Sequence, residues 1–425
     1  MEILRRLNPQ QHEAVTSDAR QILVLAGPGS GKTRVLTQRI AYLIHERKVN
    51  PGAILAVTFT NKAAREMRAR LENMLGPAVN AVWLGTFHAI CARILRREAT
   101  RLPFDSNFVI MDADDQTSIV KRILKDLNID EKLYSPTSIH NQISNAKNAL
   151  TGPDNYSSRT YREEVTKRVF EQYEKALRAS NAVDFDDLLM WSVRLFEENP
   201  DLREAYGQRF EHVLVDEFQD TNEAQYALLK HLSSVHHALF VVGDEDQSIY
   251  RWRGADYRNV LRFQSDYPKA IKLLLEQNYR STQNVLNAAQ AVINQNTART
   301  RKNLFSERGS GALVSLYDAV DDHAEAAYVV EDIMDRIAGG EKAGGIAVMY
   351  RTNAQSRLLE EAFLRAGIPY KLVGAQRFYG RREVKDLIAM LRLIHNPYDS
   401  VSLSRVINVP PRGIGSKTLT NLNML

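Results

Sequence analysis

The chain has 425 residues, of which 44% are hydrophobic, and its formal net charge is +5, which permits a polyanionic partner. Its one cysteine, Cys91, excludes an intramolecular disulfide and any zinc site built from several cysteines, and we expect it to pack in a core. The charged start MEILRRLNPQQ and the lack of a long uncharged apolar run argue against a signal peptide and a membrane span, so we expect a soluble protein of a reducing compartment with no membrane partner.

Six short runs rich in Val, Ile and Leu predict buried parallel strands. They are QILVLA (21–26), AILAVT (53–58), VWLGT (82–86), HVLVD (212–216), ALFVVG (238–243) and IKLLL (271–275). Helical patterns lie between most of them, and this alternation predicts an α/β fold with a parallel sheet. Ligands of such sheets bind beyond the carboxyl ends of the strands, where each of these runs gives way to polar or glycine-rich sequence.

One further region interrupts this pattern, and others follow it. The stretch from about 107 to 190 reads as mostly helical and predicts a helical insertion into the first α/β domain. A second α/β pattern follows, with strands predicted at ALVSLYDA (312–319), GIAVMY (345–350) and YKLVG (370–374), and with helices predicted at DHAEAAYVVEDIMDRIA and AQSRLLEEAFLRAG. From about residue 378 the pattern is helical again.

The segment AGPGSGKT (26–33) follows a predicted strand and precedes a predicted helix, as a phosphate-binding P-loop does. The strict pattern has Gly where this chain has Ala26. Glycines let the backbone N–H groups wrap phosphate oxygens, Lys32 would reach the β- and γ-phosphates, and the hydroxyl of Thr33 would hold Mg²⁺. The predicted nucleotide-binding residues of the loop are Ala26, Gly27, Pro28, Gly29, Ser30, Gly31, Lys32 and Thr33. The alternative is a glycine-rich turn without a ligand.

Two acids, Asp216 and Glu217, end the apolar strand HVLVD. An acid at this position in P-loop enzymes supports Mg²⁺, and a second acid beside it can polarise the water that attacks the γ-phosphate. The alternative is a solvated strand end. The long separation of Asp216 from Lys32 in the chain supports the inserted helical domain.

The segment GDEDQSIYRWRG (243–254) combines acids and Gln247 at a strand end with alternating aromatic and arginine residues. Tyr250 and Trp252 would provide a stacking surface for bases, and the arginines would contact phosphates. One piece of chain could therefore sense nucleotide at one end and hold a single strand of nucleic acid at the other. The alternative is that the aromatics are core residues and the arginines are solvated.

Taken together, these segments resemble the UvrD/PcrA/Rep-type superfamily 1 DNA helicases. LNPQQ (7–11) resembles the adenine-reading motif of this family, whose P-loop normally begins with Ala. TFTNKAA (58–64) and GTFHA (85–89) resemble its first DNA-contact motifs. DEFQDTN, GDEDQSIYRWRGAD and QNYRST (277–282) match the next three.

The resemblance implies a role for each matching residue. Gln11 would read the adenine, with Arg34 and Tyr279 on its two faces. Arg280 would contact the γ-phosphate, and Gln247 would couple phosphate state to the DNA site. The DNA-binding residues would be Phe59, Asn61, Thr86, His88, Tyr250, Trp252 and Arg253. For His88 a purely structural role remains open.

The same resemblance implies two P-loop, RecA-like, parallel-sheet domains, each with a helical insertion. The first domain would comprise 1–106 and 191–274, with 107–190 as its insertion. Residues 275–377 would form an incomplete second domain and 378–425 the start of its insertion, in which NVPPRGIG (408–415) resembles a hairpin that grips duplex backbone. Two motifs of the family lie beyond this length. We therefore expect the isolated 425 residues to bind ATP and single-stranded DNA, to hydrolyse ATP weakly or not at all, and not to unwind.

The function implied is an ATP- and Mg²⁺-dependent 3′→5′ DNA helicase of repair or replication, cytoplasmic and nucleoid-associated. Its partners would be single-stranded DNA, junctions of single- and double-stranded DNA, and repair proteins. The alternatives are a catalytically silent module that binds ATP and DNA, a helicase subunit of a RecB- or AddA-like helicase–nuclease, and an RNA-directed motor of the same superfamily.

Overall fold

The computed structural model describes residues 3–249, 254, 256, 258–296, 299–373, 382–415 and 418. Its strands are β1 (Gln21–Ala26), β2 (Ile54–Thr58), β3 (Trp83–Thr86), β4 (Val109–Ile110), β5 (Ala182–Val183), β6 (His212–Val215), β7 (Leu239–Gly243), β8 (Ile271–Leu275), β9 (Gln277–Asn278) and β10 (Phe305–Ser306). Its α-helices are α1 (Pro9–Thr16), α2 (Lys32–His45), α3 (Asn61–Leu75), α4 (Phe87–Arg97), α5 (Ala113–Asp126), α6 (Pro136–Asn148), α7 (Tyr161–Ala179), α8 (Phe185–Glu198), α9 (Pro200–Arg209), α10 (Glu223–Leu232), α11 (Arg258–Asp266), α12 (Gln283–Ile293), α13 (Asp322–Ala338), α14 (Ser356–Arg365), α15 (Arg382–His395) and α16 (Ser400–Val406).

The central sheet has six strands in the order β3-β2-β6-β7-β1-β8, and every pair in it is parallel. All six strands predicted from the apolar runs are confirmed to within one residue at each end. Side chains alternate between two cores, because Leu23 and Leu25 pack in one cluster while Ile22 and Val24 pack in the other. Both faces of the sheet are therefore covered, as a continuous apolar strand requires.

Cys91 lies fully buried in the first of these cores, and burial raises the pKa of its thiol to about 12. Its predicted packing role is confirmed. In the ranges given above, no helix combines the length and the apolar character needed to cross a membrane.

The helical insertion is built on α5, α6 and α7, which enclose a separate apolar core. The short parallel pair β4–β5, which the sequence did not predict, joins its two ends. Lys147 lies at 0% exposure where α6 meets α8, and its Nζ is 2.6–2.8 Å from carboxylate oxygens of Glu174, Asp184 and Asp187. Any movement that broke this buried network would leave an uncompensated charge, which is costly. The network therefore fixes how the insertion joins the sheet domain.

Helices α15 and α16 pack against this insertion. The guanidinium of Arg392 donates to Asp115 at 2.8 Å, and Asn396 donates to the carbonyl of Ser180 at 2.8 Å. The described residues of 1–312 and 386–425 form one compact unit, and the described residues of 313–385 form a second. The division into two RecA-like domains with insertions stays a prediction.

The second unit contains α13 and α14, whose apolar faces share a small core around Val330, Ile333 and Phe363. Both helices are confirmed. The strands predicted at 312–319, 345–350 and 370–374 are wrong for the described residues, which form no strand there. A strand exists only when a neighbour supplies its hydrogen bonds, and these segments pair with no other in the described part of the chain. Their side chains remain exposed, including Leu316 at 95% and Met349 at 93%.

Candidate functional site

The carboxyl edge of the central sheet collects nearly all the predicted site residues that the structure describes. Because the six strands are parallel, the segments that follow them emerge at one edge in the order of the sheet. The loops after β3 and β2 carry the residues predicted to bind DNA. The loops after β6, β7, β1 and β8 carry the acid pair, Gln247, the P-loop and Arg280.

The P-loop joins β1 to α2 in a conformation suited to an anion. Gly29 and Gly31 have φ of +66° and +88°, a left-handed backbone that L side chains rarely adopt. The Ser30 hydroxyl is buried and donates to the carbonyl of Gly27 at 2.7 Å, which closes the turn. Lys32 begins α2, so the helix N-terminus faces the loop and favours negative charge there.

Replacing Gly29 by Ala tests how tightly this loop is packed. A Cβ at Gly29 would lie 2.7 Å from the Cβ of Arg280, in addition to its positive φ. Gly309 is a matched control, because its φ is +78° and a Cβ there meets nothing within 4 Å. We expect Gly309→Ala to lower the free energy of unfolding by about 1–2 kcal/mol, and Gly29→Ala to lower it by roughly 1–3 kcal/mol more through overpacking. Urea denaturation measures both, and equal losses would contradict the packing seen here.

The acid pair faces the start of α2. The hydroxyl of Thr33 donates to Asp216 at 3.4 Å, and the Nζ of Lys32 lies 3.9 Å from a carboxylate oxygen of Glu217. Burial, with the adjacent charge of Glu217, raises the pKa of Asp216 to about 7, while Lys32 opposes the shift. Glu217 itself has a left-handed backbone with φ of 51°, a conformation uncommon outside glycine and found at functional sites.

Thr33 and Asp216 fit a magnesium ion. The 2%-exposed carboxylate of Asp216 lies beside the Thr33 hydroxyl, and both are oxygen donors of the kind that hard divalent cations prefer. The described residues contain no cluster of three or more His, Cys, Asp or Glu side chains that could hold a metal without help. Magnesium typically takes one or two protein ligands and completes its shell with substrate phosphates and water, and these two oxygen donors match that pattern.

The predicted adenine-binding residues lie on the other side of the P-loop. Gln11 is fully buried, and its side-chain amide donates to the carbonyl of Ser30 at 2.8 Å. Tyr279 is 41% exposed, and its hydroxyl donates to Gln277 at 2.8 Å. Burial raises the pKa of Tyr279, and the charge of Arg34 opposes that rise. Gln11 therefore braces the P-loop, while the guanidinium of Arg34 donates to the carbonyl of Arg6 at 2.8 Å.

Residues that follow β8 hold the P-loop from the same side. Asn278 donates its side-chain amide to the carbonyl of Pro28 at 2.5 Å, and its side-chain oxygen accepts from the backbone N–H of Arg280 at 2.8 Å. The backbone N–H of Tyr279 donates to the carbonyl of Gly29. Arg280 is exposed, and its Cβ lies beside Gly29 of the P-loop.

The loop after β7 is linked to the acid pair through Gln219. The Gln219 side chain donates to Glu217 at 2.9 Å and accepts from the backbone N–H of Asp244 at 2.8 Å. Asp244 in turn accepts from the side chain of Gln247 at 2.6 Å. Gln247 is therefore connected to Glu217 by consecutive hydrogen bonds. The other three residues predicted in this segment, Tyr250, Trp252 and Arg253, lie outside the described residues.

The remaining DNA-site candidates follow β2 and β3. Phe59 is half-buried and Asn61 is exposed at the first turn of α3. The side chain of Thr86 is buried and caps α4 by accepting from the backbone N–H of Ala89. His88 packs edge-on against Phe185 with 5.8 Å between ring centroids, and burial lowers its pKa. Thr86 and His88 thus have structural roles in addition to any contact with DNA.

Sequence reasoning missed several residues that organise this site. Gln219 lies in the quoted motif DEFQDTN and Asn278 in QNYRST, so motif position was a signal for both. Lys302, whose buried Nζ contacts Asp244, lies in no quoted motif, and nothing in its local sequence indicates the contact.

The comparisons with known proteins agree with this geometry. A family model described as the UvrD/REP helicase N-terminal domain matches residues 7–268, and one described as the UvrD-like helicase C-terminal domain matches residues 273–425.

Several similar curated proteins are named ATP-dependent DNA helicase PcrA. The Bacillus subtilis protein is 48% identical over 424 residues, which cover 99% of this chain and 57% of the relative. The Staphylococcus epidermidis protein is 47% identical over 422 residues, covering 99% of this chain and 58% of the relative. The Staphylococcus aureus protein is 47% identical over 419 residues, covering 98% and 57%. The chain thus spans less than three-fifths of the length of these relatives.

Proposed function

The chain belongs to the UvrD/REP helicase family, and from that premise we propose that it acts in an ATP-dependent DNA helicase. In this proposal ATP and Mg²⁺ bind at the P-loop, and single-stranded DNA binds beyond β2 and β3. Hydrolysis drives 3′→5′ movement along the strand and unwinding at junctions with duplex DNA, in repair or replication. The repair-protein partners, the cytoplasmic, nucleoid-associated location and the weak activity of the isolated chain stay predictions.

One observation carries this proposal: the two predicted sites share an edge of one rigid sheet. The P-loop and the acid pair follow β1 and β6, and Phe59 and Asn61 follow β2, the direct neighbour of β6. The backbone N–H of Asp216 donates to the carbonyl of Val57 at 2.9 Å, two residues before Phe59. A change at the acid pair therefore has a short path to the candidate DNA surface.

The residues of the nucleotide site divide the work of phosphoryl transfer. Lys32 and the P-loop backbone bind the phosphates, and Thr33 and Asp216 would hold Mg²⁺. A bound Mg²⁺ supplies charge neutralisation at the phosphate oxygens. Glu217, which accepts a hydrogen bond from Gln219, would polarise the attacking water, and Arg280 would stabilise charge on the γ-phosphate.

The nucleotide base and the DNA strand would be held by different surfaces. Tyr279 and Arg34 would enclose the adenine, with Gln11 behind the P-loop. Phe59, which is half-buried, would stack on a base, and the exposed Asn61 would contact the strand, since aromatic and polar groups suit unpaired nucleotides. Tyr250, Trp252 and Arg253 are proposed to extend this surface. The two proposed RecA-like domains would close on ATP and open after hydrolysis, and each such cycle would advance the protein along the strand.

The experiment that tests this function is ATP hydrolysis with and without single-stranded DNA. We expect an oligothymidylate to raise the single-turnover rate, which is predicted to be low for these 425 residues, because binding of the strand would be coupled to the acid pair. Phe59→Ala should weaken binding of the DNA strand by about 1–3 kcal/mol. This loss raises the DNA concentration for half-maximal stimulation by roughly 5- to 150-fold. Tyr161→Ala is the control, because this tyrosine is 73% exposed on the insertion helix α7. An ATPase rate that DNA leaves unchanged would favour the silent module.

A further inference from the structure

The segment 299–304, which precedes β10, reaches into the loop after β7. The Nζ of Lys302 lies 2.5 Å from one oxygen of Asp244 and 3.0 Å from an oxygen of Asp246. The side chains of Lys302 and Asp244 are both 0% exposed. A charge that is removed from water in this way is costly unless partners compensate it, and here two carboxylates do. The ion pairs of Lys302 with Asp244 and Asp246 therefore hold this segment against the loop after β7.

The carboxylate of Asp244 joins Lys302 to Gln247. One oxygen accepts from Lys302, and the other accepts from the side-chain amide of Gln247 at 2.6 Å. A carboxylate held by a fixed cation has little freedom to rotate, so the amide it binds is also fixed. The backbone of Asp244 meanwhile binds Gln219, which holds Glu217.

The same segment also contacts the P-loop. A Cβ at Gly27 would lie 2.3 Å from a methyl group of Leu304, so Leu304 packs directly on the loop. The side chain of Gln290 donates to the carbonyl of Lys302 at 3.2 Å and so fixes the backbone between Lys302 and Leu304. One short piece of chain thus touches both the phosphate loop and the loop that carries Gln247.

We propose that Lys302 is a positioning residue, which orients Gln247 through Asp244 and so aligns the loop after β7 with the nucleotide. This inference rests on the proposed function, because it assigns Lys302 to the coupling between ATP hydrolysis and DNA. Lys302 need not touch ATP or DNA. Its effect passes through the carboxylate it shares with Gln247.

The test compares Lys302→Met with Arg299→Met in DNA-stimulated ATP hydrolysis. Arg299 is a matched control, because it is a buried cation of the same segment, but it donates to both oxygens of Asp246 at 2.7 Å. We expect Lys302→Met to lower the DNA-stimulated kcat by about 2- to 30-fold while KM for ATP changes by less than about twofold. Arg299→Met should keep the stimulation. The double variant Lys302→Met/Gln247→Ala should be no slower than Gln247→Ala, since both act through one path.

Several results would overturn the proposal. They are equal stimulation in Lys302→Met and Arg299→Met, or a double variant whose defect is the product of the two single ones. If Lys302→Met does not fold, Asp244→Asn removes the shared charge with little change in shape, and normal stimulation in that variant overturns the proposal too. Failure of DNA to stimulate the unmodified protein overturns the proposed function as well, so the two failures are distinguishable.

Discussion

Lys32→Ala should slow single-turnover ATP hydrolysis by about 10²–10³-fold, the loss typical when one preorganised group that stabilises transition-state charge is removed. Lys32 begins α2 at the end of the P-loop, and its Nζ points toward the acid pair, 3.9 Å from Glu217. Its cation lies at the N-terminus of the helix that follows the loop, where phosphate oxygens would bind. Quenched-flow measurement with limiting ATP, with a fluorescent ATP analogue to follow binding, separates the loss of chemistry from the loss of affinity.

The control is Lys125→Ala, since Lys125 is exposed on α5 of the insertion. We expect it to leave the hydrolysis rate and the melting temperature of the protein unchanged. Lys32→Ala should also melt normally, because the Lys32–Glu217 separation is long for a stabilising ion pair. Hydrolysis by Lys32→Ala within about tenfold of the unmodified rate would show that the loop is not the phosphate site.

Glu217→Gln should trap ATP without hydrolysing it. The change keeps the shape of the side chain and its ability to accept from Gln219, but it removes the charge that polarises water. The expected loss is about 10²–10⁴-fold in hydrolysis rate, the usual contribution of a general base. ATP affinity should be retained, because Lys32 and the P-loop remain. The measurement is single-turnover hydrolysis paired with equilibrium binding of labelled ATP.

Glu223→Gln is the matched control, because Glu223 is exposed at the first turn of α10, six residues further along the chain. It should hydrolyse ATP at the normal rate. If Glu217→Gln also does so, the base lies elsewhere. Asp220 would be the next residue to test, since burial, with the charge of Glu217, raises its pKa to about 6.

Local sequence pattern was sufficient to predict the sheet and the two parts of the nucleotide site, the P-loop and the acid pair. Apart from Gln21 and His212, which begin their strands, the residues of β1, β6 and β7 are apolar or glycine, and such runs can be stable only when both faces are covered. Gly29, Gly31 and Lys32 follow one of them, and Asp216 follows another, so parallel topology alone brings them to one edge. The resemblance added Arg34, Tyr279 and Arg280, whose roles spacing could not supply.

The contacts that connect these parts could not be predicted, because they join residues far apart in the chain. Gln219 meets Asp244 across 25 positions and Lys302 meets Asp244 across 58. The same limit explains the wrong strands of the second α/β pattern. Segments such as 345–350 have suitable composition, but strand pairing depends on neighbours that no local pattern reports.

Coupling between the nucleotide site and the DNA site is tested most directly by asking whether the bound nucleotide changes the affinity for DNA. The affinity for a fluorescent oligothymidylate should be measured by anisotropy with saturating ADP and with a saturating non-hydrolysable ATP analogue. Coupling between the two sites predicts affinities that differ by at least about fivefold, and a ratio near one for Gln247→Ala. Equal affinities in the unmodified protein, with both nucleotides bound, would contradict it.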